Sequence, residues 1–131
     1  MPSYPDTLIR RILDETRTIA MVGASANWVR PSNFAMKYLQ HKGFRVIPVN
    51  PASAGSEIHG EICYASLAGV PGCFDIVDIF RKSTDAGQIV DEAIDLKDTK
   101  GLKVIWMQLG VIDEAAAARA EAAGLTVIMD R

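Results

Sequence analysis

The chain has 131 residues, 49% of them hydrophobic and 23% charged, an ordinary balance for one globular domain. With 14 Lys and Arg against 16 Asp and Glu the net charge is −2, which argues against the positive excess that non-specific nucleic-acid binding requires. No apolar run reaches bilayer-spanning length, and the start, MPSYPDTLIRR, lacks a signal-peptide core, so a cytoplasmic protein with no membrane contact is expected.

In chain order, residues 1–17 read as a leading segment with a helix over about 6–16. TIAMVG (18–23) is the first of five short apolar runs; the others are FRVIPVN (44–50), FDIVDIF (74–80), KVIWMQL (103–109) and LTVIMD (125–130). They are rich in Val and Ile and nearly continuous, as parallel strands covered on both faces must be. SNFAMKYLQHKG predicts a helix with Ser32 as N-cap and Gly43 just past its end. The stretch 50–72 is rich in Gly, Pro and Ser and reads as a long irregular connection with one helical turn at SLAGV. STDAGQIVDEAIDL predicts a helix capped by Ser83 or Thr84, and DEAAAARAEAAG one that starts on Asp113 and stops at Gly124. Strand alternating with helix predicts a single α/β domain over 1–131: a doubly wound parallel sheet of about five strands with helices on both faces.

Ligands of such sheets bind outside the carboxyl ends of the strands. The residues there are Gly23-Ala24-Ser25, Asn50-Pro51, Phe80-Arg81-Lys82 and Gln108-Leu109-Gly110. Small residues allow close approach to backbone N–H groups, while Arg30, Arg81 and Lys82 supply charge for phosphates. The helix beginning near Ser32 turns its positive end toward the same crevice. An anionic nucleotide is therefore expected. NAD is the weaker choice, because the loop GASANWVRP lacks GxGxxG and the second run ends Val49-Asn50-Pro51 with no carboxylate for the ribose; NADP remains open, and a Walker A loop is excluded.

Other residues carry plainer readings. Arg81 alternatively pairs with Asp78 or Asp85, Asn50 alternatively makes an Asx turn, and Trp28 either covers a ligand or is simply exposed or packed. Trp106 reads as core and His41 as solvent-facing. His59 lies near Glu57 and Glu61 but lacks further ligands at metal spacing, so no metal is expected. Cys63 and Cys73 form no CxxC and read as ordinary reduced residues. No nucleophile–base pair points to a catalytic residue.

VGAS (22–25) with RPS (30–32), VIPVNP (46–51), GEICYASL (60–67), DIFR (78–81) and WMQLGVIDEAAAARAEAAGLTVIMDR (106–131) stand in order at spacings that resemble the stand-alone CoA-binding proteins. Their domain is also the N-terminal CoA-binding domain of the succinyl-CoA synthetase α subunit. The resemblance implies a Rossmann-like fold with coenzyme A in the crevice. It implies that Gly23, Ala24, Ser25 and Arg30 meet the phosphates and ribose, that Asn50 and Pro51 line one side, and that Phe80, Arg81, Gln108, Leu109 and Gly110 border the adenine and pantetheine path. Two departures stand out. The synthetase lysine of a Pro-Gly-Lys turn is replaced by Pro51-Ala52-Ser53, and the short Cys-Pro tail that usually follows Met-Asp-Arg is not seen after Arg131. The expected function is binding of CoA or acyl-CoA without chemistry of its own, as a carrier, sensor or regulatory module with a possible protein partner. The alternatives are an NAD(P)-dependent reductase or one half of an acyl-CoA ligase with a separate ATP-grasp partner; the oligomeric state stays open.

Overall fold

In the computed structural model, which describes residues 4–131, the five apolar runs form one parallel sheet. The elements in chain order are α1 (Asp6–Glu15), β1 (Thr18–Val22), α2 (Pro31–His41), β2 (Arg45–Val49), β3 (Glu57–Ile58), β4 (Glu61–Ile62), β5 (Ile76–Ile79), α3 (Ser83–Lys100), β6 (Val104–Met107), α4 (Glu114–Ala122) and β7 (Thr126–Ile128). Residues 1–3 of the expected leading segment lie outside the described residues.

The sheet order is β2-β1-β5-β6-β7, every pair parallel. After β1 the chain crosses to one side and after β2 to the other, so the topological switch point lies between β1 and β5. Alternate strand residues serve two cores, which is why the runs read as continuous. Ala20, Val22, Val77, Ile79, Ile105 and Met107 pack with Val90 of α3 and Ala116 of α4. Ile19, Met21, Ile76 and Val104 pack on the other face with Ile12 of α1 and Met36 of α2. Trp106 belongs to this second face but is only half-buried, short of the core position expected for it.

Two helix starts differ from expectation. Ser32 is not the cap of α2: Arg30 holds that place at φ −80°, ψ 140°, and Pro31 is the first helical residue. A residue before proline is forced extended, and proline at the first helical position forfeits an N–H that has no partner anyway. Ser32 therefore sits in the first turn and is 4% exposed. Nor do Ser83 and Thr84 cap α3, whose N-cap is Lys82 without a side-chain bond. The Ser83 hydroxyl accepts from the Ile112 N–H (2.9 Å) and donates to the Gly110 carbonyl (3.3 Å), tying the loop after β6 to the start of α3.

Asp113 caps α4 as the sequence predicts, its Oδ1 accepting from the Ala116 N–H at 3.0 Å. This cap fixes a helix whose buried side chains are alanines, so little else compensates its loss. Asp113→Ala is expected to cost about 1 kcal/mol and lower the thermal midpoint by roughly 3–5 °C. Calorimetric melting checks this, and an unchanged midpoint would show that the cap is dispensable.

The connection 50–72 holds more structure than its composition suggests. Besides the expected turn at Leu67–Gly69, β3 and β4 form an antiparallel hairpin through His59 (φ 47°) and Gly60 (φ 83°). Two successive positive-φ residues are the tight hairpin turn that matches strand twist. The following Tyr64 then bridges in parallel to Val49 at the edge of β2.

Candidate functional site

At the switch point the chain is crowded. Gly23 leaves β1 at φ +89° with its N–H donated to the Val49 carbonyl (2.9 Å), and the Phe80 N–H leaving β5 is donated to the Val22 carbonyl (2.8 Å). A Cβ on Gly23 would lie 2.5 Å from the Phe80 carbonyl oxygen. The loop after Gly23 is held from two sides by side-chain amides. Asn50 Nδ2 donates to the Ala24 carbonyl and Asn33 Nδ2 to the Ser25 carbonyl, each at 2.9 Å. Asn50 Oδ1 also accepts from the Ala52 N–H (3.0 Å), so the Asx turn is present and the other end of the same side chain braces the loop. Asn33 is in turn bonded to His59 Nε2 (2.9 Å), which links the hairpin to the loop.

Between these elements lies a crevice of about 630 Å³, within the usual range of ligand pockets. Gly23, Ser25, Asn50, Phe80, Gln108 and Leu109 line it, together with the cations Arg30, Arg81 and Lys82, and no carboxylate is among its lining residues. Arg81 is shared with Asp85 in an exposed i,i+4 pair at 3.2 Å, as one of the two readings of Arg81 anticipates. Arg30 and Lys82 have no ion-pair partner among the described residues. The N–H groups of Ser25 and Ser32 likewise have no acceptor among the described residues, and the N-terminus of α2 opens on the crevice through Pro31 and Ser32. Unpaired donors at a helix start with three cations nearby are groups suited to holding an anion.

Three expected site residues fall outside the crevice lining. Ala24 is fully buried, Pro51 borders a neighbouring cavity toward α3, and Gly110 donates its N–H to Asp130 Oδ1 (2.6 Å). The crevice in turn gains Pro31, Ser32 and Val111. Ser32 was legible only as a cap; its place in the lining follows from the proline register.

One buried pair has no sequence signal. Gln108 Nε2 donates to Asp78 Oδ1 at 2.6 Å, and burial pushes the Asp78 carboxyl up to about 7, the Gln108 bond acting in the opposite sense. Asp78 sits inside an apolar run, where nothing distinguishes it from a surface residue of an alternating strand. Trp28, 67% exposed, stands edge-on to His59 with ring centroids 5.9 Å apart. Cys63 is buried with its thiol pushed up by burial, Cys73 and His41 are exposed, and no metal-holding cluster of His, Cys, Asp and Glu exists among the described residues. No helix among the described residues is long and apolar enough to cross a membrane.

Comparison with known proteins adds four similarities. A family model for a CoA binding domain matches residues 17–131. The chain is 34% identical over 122 residues to the uncharacterized protein YneT of Bacillus subtilis (strain 168), covering 93% of this chain and 86% of that relative. A hypothetical protein from Pyrococcus horikoshii OT3 superposes with a TM-score of 0.89 at 37% identity, over 98% of this chain and 87% of the other. The fold alone is shared with a dinucleotide-forming acetyl-coenzyme A synthetase of Ca. Korarchaeum cryptofilum, at a TM-score of 0.67 and 23% identity over 86% of this chain and 26% of that one.

Proposed function

The chain belongs to the CoA binding domain family, and on that premise we propose that it holds CoA or an acyl-CoA in the switch-point crevice. In this reading it performs no chemistry of its own and serves as a carrier, sensor or regulatory module. The observation that carries it is the charge pattern of the crevice: Arg30, Arg81 and Lys82 with no carboxylate in the lining. The phosphates of CoA answer that pattern. A ribose of NAD calls instead for a carboxylate after β2, where this chain has Asn50 with both ends of its side chain bonded to backbone. Ser25, the hydroxyl nearest the turn, accepts from the Asn27 N–H (3.0 Å) and has no histidine beside it to activate it.

Calorimetry with CoA, acetyl-CoA, NAD and NADP tests the reading. Binding of the two CoA compounds with silent dinucleotides is the expected result; tight NAD(P) binding with silent CoA would overturn it. Arg30→Ala is expected to weaken CoA about 10- to 150-fold, the loss of one charge-assisted contact of roughly 1.5–3 kcal/mol. Because Arg30 is exposed and makes no ion pair among the described residues, the unfolding midpoint should stay put. Unchanged affinity would make Arg30 an ordinary loop charge.

A further inference from the structure

A second cavity, of about 300 Å³, lies on the sheet face covered by α1 and α2. Its helix side is Ile9 and Leu13 of α1 and Leu39 of α2, its sheet side includes Ile76, Asp78 and Trp106, and Arg131 lines it as well. Strand register explains the arrangement. Ile76, Asp78 and Phe80 alternate onto this face from β5, with Asp78 paired to Trp106 on β6, and Gln108 is the next residue of the same face. The cavity and the crevice share one lining residue. Gln108 lines both, and Phe80, which lines the crevice, ends the strip that Ile76 and Asp78 begin.

The cavity lining is mostly aliphatic and carries one buried polar group without a partner. Trp106 Nε1 is buried with no acceptor. The carboxyl of Asp78, 4% exposed, receives a single bond, from Gln108. A buried donor left unpaired is a cost that packing alone gives no reason to keep. A ligand with an apolar chain and a carbonyl oxygen covers the aliphatic lining with its chain, and its oxygen takes the indole N–H once the ring turns toward the cavity.

We infer that this cavity receives the acyl chain of an uncharged acyl thioester of CoA, with Gln108 at the threshold between the nucleotide crevice and the acyl pocket. This rests on the CoA reading of the crevice. The volume allows on the order of ten non-hydrogen atoms, at about 30 Å³ each. A chain of a few carbons fits, and a long fatty acyl chain does not.

The test is a chain-length series by calorimetry on the full chain: CoA, acetyl-, butyryl- and hexanoyl-CoA. Each added methylene is expected to tighten binding about fourfold until the cavity fills, the value that about 0.8 kcal/mol per buried CH₂ gives. Leu13→Phe, on the half-buried side of α1, should flatten the slope of the series by filling the cavity. The sequence has only two tryptophans, so Trp28→Phe leaves Trp106 as sole reporter. Its emission should change with hexanoyl-CoA and not with CoA. If CoA binds but the series is flat, or if Leu13→Phe retains the slope, the acyl pocket is overturned while the nucleotide site stands. If no CoA compound binds, both readings fall.

Discussion

Replacing Gly23 with alanine is expected to destabilise the protein by roughly 2–5 kcal/mol and to abolish ligand binding in whatever fraction still folds. Two costs add. The backbone at φ +89° is one that an L side chain adopts only under strain, about 1–2 kcal/mol. The new Cβ would also stand 2.5 Å from the Phe80 carbonyl oxygen and 2.9 Å from its carbon. Neither atom belongs to a flexible side chain, so relief requires β1 and β5 to part where they are tied by the Phe80 N–H to Val22 bond. Overpacking of that kind costs about 1–3 kcal/mol. Against a domain stability of about 5–15 kcal/mol the sum is a large share. Urea unfolding should show the midpoint falling by roughly 1–3 M with little change in slope. A variant of native stability would mean that the loop can relax away from Phe80. Native stability with lost CoA binding would instead place the requirement for Gly23 in the ligand's approach to the backbone.

The reason Gly23 was legible, and much of the site with it, is that the constraint is local in sequence. An apolar run ending in Gly-Ala-Ser and followed by Arg-Pro marks a strand, a tight turn and a helix start, and Pro31 fixes where α2 begins. The strand runs gave the sheet because every strand is covered on both faces, leaving only terminal residues to misplace. Four features were not legible. Ser32 and Ser83 look like caps because their residue type favours that role; Pro31 overrules the first, and the loop after β6 captures the second. The β3–β4 hairpin is two residues a side, too short for a period to show, and its His-Gly turn lacks the usual Asn or Asp. The Asp78–Gln108 pair joins residues 30 apart through the pairing of β5 with β6, and no local pattern encodes a contact of that kind. Asn33 is hidden similarly: it reads as an ordinary helix residue, yet its amide positions Ser25 and its oxygen meets His59.

Asp78→Asn is expected to make the protein more stable at pH 8 and no more stable at pH 4. An aspartate titrates near 3.8 in the unfolded chain and about 7 in the fold, where burial disfavours its charge. Below about pH 4 both states hold the proton, so the residue costs nothing extra. Between 4 and 7 the unfolded state releases its proton while the folded state retains it. Unfolding is then favoured increasingly as pH rises, by about 1.4 kcal/mol per pH unit. Above about 7 both states are ionised and the penalty levels off on the order of 4 kcal/mol. Asparagine keeps the shape and can still accept from Gln108 Nε2, but has no charge to bury. Other titrating groups are common to both proteins, so the difference between their stability–pH curves isolates this one. Urea midpoints from pH 4 to pH 8.5 should coincide at the acid end and diverge toward the alkaline end; curves that stay parallel would show that Asp78 is solvated or paired in solution.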